Sequence, residues 1–120
     1  MTPPSTPRST ARPQHDPAGA TIVVTGATGS IGTALIRRLV ADDRVGEVRA
    51  VARRISQEDH GPKVRWFAVD IVDGDLSRAC AGADAVVHLA WRIQPSWDLD
   101  GMRAVNVLGS ARVFDAAVEA

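Results

Sequence analysis

The feature that most restricts the fold is a glycine triplet set between two patterned runs. Thr21–Thr25 (TIVVT) is a continuous β-branched stretch, as expected of a strand buried on both faces. Gly26-Ala27-Thr28-Gly29-Ser30-Ile31-Gly32 follows directly. Ile31, Leu35 and Leu39 then recur every four residues, the spacing of an amphipathic helix with Arg37 and Arg38 turned away. Gly26 allows the tight turn out of the strand. Gly29 lets the backbone approach a pyrophosphate, and Gly32 lets the helix pack closely on the sheet. The first helical turn, Ser30 to Gly32, offers amide N–H groups and about half a positive charge to phosphates. A strand before and a helix after make this a dinucleotide-binding loop in which Thr28, Ser30 and Ile31 join the glycines. No Gly-Lys-Ser/Thr follows, so it is not a P-loop.

The rest of the chain repeats the alternation. Strands are expected at Val48–Ala52, Val64–Val69 and Ala85–Leu89 (AVVHL), with a short helix over about 74–80. Ala104, Val107, Ala111, Phe114 and Val118 lie three and four apart, which predicts a last helix with that stripe on the sheet. Arg112, Asp115 and Glu119 fall off it. Strands alternating with helices predict an α/β fold, a Rossmann-like parallel sheet of order 3-2-1-4 with helices on both faces, over residues 21–120. The fourth strand is apolar throughout and asks for a neighbour on its far side. With an apolar final helix, it leads us to expect a truncated doubly wound domain that self-associates.

Composition removes other classes. The 120 residues carry 14 Lys+Arg and 14 Asp+Glu. Zero net charge argues against nucleic-acid binding, which needs an excess of cations. No apolar run approaches the ~20 residues of a membrane span, so no membrane partner is expected. Five of the seven prolines fall in residues 3–17, and no Val, Ile, Leu, Phe or Trp precedes Ile22. Residues 1–20 therefore read as a disordered Pro/Ser/Thr/Arg-rich tail without a secretory apolar region. The single cysteine, Cys80, makes no internal disulfide and reads as an inert buried or helix-end thiol. That suits a reducing cytoplasm. No metal-ligand spacing is present.

Four motifs in order carry a resemblance. VTGATGSIG (Val24–Gly32) resembles the cofactor loop of the extended short-chain dehydrogenase/reductases, the NAD(P)-dependent epimerase/dehydratase family. Asp70-Ile71 after the third strand, DAVVHLAW (Asp84–Trp91), and Asn106-Val-Leu-Gly-Ser110 running on to Phe114–Ala117 are similar to three further family segments. The resemblance covers residues 21–120 and implies a nicotinamide dinucleotide cofactor. It implies Asp70 and Ile71 beside the adenine, Leu89 and Ala90 along the ribose and phosphates, and Asn106 tying the last helix to the end of the fourth strand. The family's chemistry depends on a Tyr-x-x-x-Lys pair, but this chain has no tyrosine, and Lys63 is its one lysine. The chain thus resembles the cofactor-binding half of such an enzyme. A small-molecule substrate is expected once a C-terminal half completes it, and turnover by this chain alone is not. The alternative is a non-catalytic, redox-sensing dinucleotide module.

Several residues carry two readings. Arg53 and Arg54 follow the second strand, where an NAD-preferring site would carry an acid; Ala52 holds roughly that position. The arginines either pair with a 2′-phosphate, giving an NADP preference with NAD as the alternative, or are solvated in a loop. Asp70 either caps a turn or reaches adenine. His88 is either an acid/base or, as we favour, a hydrogen-bonded structural residue within a strand. Asn106 is either a family tie or an ordinary polar position. The loop Trp91–Trp97 either faces substrate or covers core.

Overall fold

The computed structural model describes residues 19–91 and 99–120. The expected tail lies outside them except for Gly19 and Ala20, and so does the loop from Arg92 through Trp97.

Parallel pairing joins β1 (Ala20–Thr25) to β2 (Val45–Ala52) on one side and to β4 (Ala85–His88) on the other; β3 (Val64–Ala68) lies outside β2. The order is β3-β2-β1-β4, as the alternation predicts. Strand limits differ slightly from the periodicity. β1 begins at Ala20, whose N–H donates to the Arg44 carbonyl at 2.9 Å, and β2 begins three residues early at Val45. Val69 and Leu89 leave their strands but still donate N–H bonds to the carbonyls of Ala52 and Thr25, at 3.0 and 3.2 Å.

Side chains alternate across the sheet with the period of two that a strand imposes. Val24, Val48 and Ala50 face one layer with Ala27, Val45 and Ile36 of α1 (Ser30–Val40). Val23 and Val51 face the other, with Ile71, Leu76, Ala79 and Cys80 around α2 (Ser77–Cys80), and Val113 of the last helix. Both layers are dry at their centres: Val23, Val24, Ile36, Val48 and Val113 are fully buried. α2 starts later than expected. The chain from Asp70 to Gly74 closes instead into a turn, with the Gly74 N–H on the Asp70 carbonyl at 2.7 Å.

The two helix faces differ from the expected stripes to different degrees. Along α1, Leu35 and Leu39 pack against the core as expected, but the fully enclosed positions are Gly32 and Ile36, and Ile31 is 71% exposed at the first turn. The last helix runs through α3 (Leu99–Arg103), a π-helical stretch (Ala104–Gly109) and α4 (Ser110–Glu119). Its inward face is Val105, Gly109, Val113 and Ala116, and the expected stripe points outward, with Val107, Phe114 and Val118 exposed. The periodicity misleads because the inward face mixes its two valines with small or polar residues. Gly109 packs so closely that an added Cβ would lie 2.7 Å from Ile71 Cδ1. Ser110 is buried, and Arg112 turns toward the Asp70–Gly74 turn rather than to solvent.

Candidate dinucleotide site

The glycine loop divides its work among three positions. Gly26 ends β1 at φ +67°, where a side chain is strained, and a Cβ there would sit 2.7 Å from Leu89 backbone atoms. Gly32 lies under the loop: its Cβ would be 2.3 Å from the Gly26 carbonyl oxygen. Gly29 is different. Its φ is −74°, ψ 172°, and an added Cβ would meet only the Gly26 carbonyl, at 3.4 Å. The protein leaves that side of the loop open. Gly29 is also the N-cap of α1, and no side chain caps the helix. The amides of Ser30, Ile31 and Gly32 begin the helix, where intrahelical acceptors run out.

Above the loop lies a cleft of about 270 Å³, walled by the carboxyl ends of all four strands. The glycine loop supplies Gly26, Thr28 and Gly29, and the end of β2 supplies Val51, Ala52 and Arg53. Val69, Asp70 and Ile71 form the wall beyond β3, Leu89, Ala90 and Trp91 the wall beyond β4, and Val105 closes it from the π-helical stretch. Open parallel sheets bind ligands on this side, where strand order reverses across β1. Asp70 holds its turn, its Oδ1 accepting the Val72 N–H at 2.9 Å, and the same residue lines the cleft.

The remaining expected residues sit apart from this cleft. Ser30, Ile31 and Gly32 open α1 without lining the cleft, Ser30 and Ile31 exposed and Gly32 beneath the loop. Arg54 joins Arg53 and Thr28 around a shallower adjoining cavity. Asn106 lines another hollow, beyond β4, with Val86, His88, Trp91 and Phe114. Sequence reasoning missed Val51, Val69 and Val105 as wall residues. The first two stand at or just past strand ends, a signal that could have found them; Val105 was hidden by the wrong helix stripe.

His88 is structural in its contacts. Thr25 Oγ1 lies 2.6 Å from His88 Nδ1, and His88 Nε2 lies 2.8 Å from Ser110 Oγ. Thr25 Oγ1 also accepts the Leu89 and Ala90 N–H groups, at 3.0 and 3.3 Å. Its own proton is therefore directed to Nδ1, and Nε2–H donates to Ser110. Burial pushes the imidazole below the usual histidine range, which keeps it neutral and fits this tautomer. The Phe114 ring meets the imidazole edge-on at 5.7 Å. One threonine thus ties the ends of β1 and β4 together, directly under the cleft. Burial likewise raises the Cys80 thiol, against the opposing charge of Arg49.

Comparison with known proteins bears on this geometry. The profile of the NAD dependent epimerase/dehydratase family matches residues 22–120. A UDP-glucose 4-epimerase of Rickettsia canadensis is 29% identical over 114 residues, covering 82% of this chain and 33% of its own length. A solved short-chain dehydrogenase/reductase superfamily protein from Agrobacterium tumefaciens, with bound NAD, is 35% identical at a TM-score of 0.68. It covers 81% of this chain and 28% of that one. MoeE5, solved with UDP-glucuronic acid and NAD, is 31% identical at a TM-score of 0.70, over 83% of this chain and 33% of that one. The chain spans about a third of the length of the curated relatives it matches.

Proposed function

The chain belongs to the NAD-dependent epimerase/dehydratase family, and on that footing we propose that residues 21–120 bind a nicotinamide dinucleotide, NADP(H) in preference to NAD(H). The observation that carries the binding is the open side of Gly29 at an uncapped helix N-terminus, beneath a cleft at the strand ends. Backbone there can approach a pyrophosphate as closely as its hydrogen bonds require. Thr28 and Gly29 would hold the phosphates, Asp70 and Ile71 the adenine, and Leu89 and Ala90 the ribose–phosphate run toward the nicotinamide. The nicotinamide ring, when bound, supplies the hydride acceptor or donor.

The preference for NADP(H) rests on the end of β2. Ala52 offers no carboxylate to the ribose hydroxyls, and Arg53 and Arg54 line a cavity with Thr28 beside the main cleft. A 2′-phosphate there would meet one or two guanidinium groups. NAD is the cofactor bound in the similar Agrobacterium tumefaciens protein and in MoeE5, and stands as the alternative. No tyrosine occurs in the 120 residues, so binding, not turnover, is the activity proposed for them. For the protein as a whole we propose a nucleotide-sugar substrate, as in the similar UDP-glucose 4-epimerase and in MoeE5 with its UDP-glucuronic acid. Among the described residues no helix is long and apolar enough to cross a membrane, and a cytoplasmic setting is part of the same proposal.

Calorimetric titration with NADPH and NADH tests the reading. One partly exposed guanidinium–phosphate contact contributes about 1–2 kcal/mol, a preference on the order of 5–30-fold. Arg53→Ala should weaken NADPH and leave NADH nearly unchanged. Equal affinities for the two cofactors would return the arginines to a solvated loop, and no binding of either would end the dinucleotide reading.

A further inference from the structure

Arg112 stands on the final helix, outside the cleft, yet its guanidinium grips the cleft's wall. Nη1 donates to the Ile71 carbonyl at 2.7 Å, and Nη2 donates to the Gly74 carbonyl. Those carbonyls belong to the turn that follows β3. The turn closes on itself through the Gly74 N–H on the Asp70 carbonyl and the Val72 N–H on Asp70 Oδ1. Gly74 fits with no room to spare, since a Cβ would lie 2.6 Å from Val69 Cγ1. Three residues earlier on the same helix face, Gly109 lets the backbone settle on the Ile71 side chain. Asp70 and Ile71 of this turn line the cleft. The final helix therefore fixes a cleft wall 38 and 41 residues before Arg112 in sequence.

We propose that Arg112 is a positioning residue for the adenine end of the dinucleotide site: its two-pronged grip sets where Asp70 and Ile71 stand, and so how tightly an adenine nucleotide is held. This rests on the dinucleotide reading above. The argument is geometric. A planar guanidinium can donate to two carbonyls at once from one rigid group, whereas a lysine ammonium on a flexible stem cannot hold both in fixed relation. The two carbonyls are acceptors left over by the turn's own hydrogen bonds, and they would otherwise need water. Arg112 is only half-buried, so the grip is a local constraint and not a core element.

Arg112→Lys and Arg112→Gln, made in the full chain, separate positioning from folding. Two ligands are titrated against each: ADP, which reaches both the glycine loop and the Asp70–Ile71 wall, and NADPH. Hydrogen exchange at the Val72 and Gly74 amides is followed in parallel, with β1 and β2 amides as the internal reference. We expect exchange at Val72 and Gly74 to quicken in both variants while the strand amides keep their protection. We expect ADP and NADPH affinity to fall about tenfold, the loss of one charge-assisted hydrogen bond's worth of preorganisation. If wild-type protein binds ADP and both variants bind it equally well, Arg112 does not position the site and the proposal falls alone. If wild-type protein binds neither ligand, the dinucleotide reading falls and takes this proposal with it. If the strand amides lose protection together with the turn, Arg112 is a general stabiliser and the proposal is overturned.

Discussion

Alanine at each of the three loop glycines should give three different proteins, and Gly29→Ala is the informative one. Its backbone, φ −74° and ψ 172°, suits any L residue, and the new methyl would meet one carbonyl oxygen at 3.4 Å. The cost to the fold is that of alanine in place of glycine at an N-cap, about 1 kcal/mol or less. The methyl projects into space the protein leaves open, which is where a pyrophosphate oxygen would come down on the loop. Displacing that oxygen by a few tenths of an ångström weakens charge-assisted bonds of about 1.5–3 kcal/mol, a loss of roughly 10–100-fold in affinity. Gly32→Ala pushes its methyl to 2.3 Å from the Gly26 carbonyl, so α1 must shift, at about 1–3 kcal/mol or more. Gly26→Ala combines a positive φ with a 2.7 Å clash against Leu89. Thermal melts followed by circular dichroism, with calorimetric titration of NADPH and NADH, separate the two effects. Gly29→Ala should melt near wild type and bind both cofactors poorly. Wild-type affinity in Gly29→Ala would refute the phosphate assignment. A melt as low as that of Gly32→Ala would refute the claim that the loop is open there.

Three further outcomes follow from the packing. His88 has its pKa depressed by burial, so the folded state resists the proton that the unfolded chain accepts; stability is complete above the unfolded value near 6.5 and is lost as pH falls toward the folded one. The gap in melting temperature between wild type and His88→Gln should therefore shrink between pH 7.5 and 5, and a constant gap would count against the Thr25–His88–Ser110 chain. Thr25→Val removes the acceptor for two amides and the donor for an imidazole, and should cost about 1–3 kcal/mol in denaturant titration. Ile36→Ala, at a fully buried site, should cost about 2–5 kcal/mol, and Val118→Ala, 85% exposed, less than about 0.5; similar losses would mean that the helix faces are assigned the wrong way round.

The sheet was legible because parallel strands read as unbroken apolar runs, and TIVVT and AVVHL need no partner to be recognised, even though β4 stands half-buried at the sheet's edge. The glycine loop was legible for a related reason. Its three glycines answer to backbone geometry within a dozen residues, so spacing alone carried the assignment of Gly26 and Gly32, and the structure adds the distances. Helix faces were less legible. A periodicity search weighs hydrophobicity, and on the last helix the outward stripe is the more hydrophobic of the two.

The inward face of that helix shows why such a search fails where a site is being built. Gly109 is there because Ile71 lies against it, Ser110 because an imidazole nitrogen needs an acceptor, and Arg112 because a turn has two carbonyls to satisfy. Each answers to a partner at least 22 residues away in sequence, and none of the partners can be named from the helix alone. Apolar core positions are interchangeable within a pattern; these three are specified one by one. The same condition hid Val105, which shares that inward face with Gly109 and Val113 and walls the cleft. A polar or small residue that breaks an otherwise good helical stripe is therefore better read as a demand for a distant partner than as a solvent-facing position. In this chain, reading Arg112 that way leads from the last helix to the wall of the cleft.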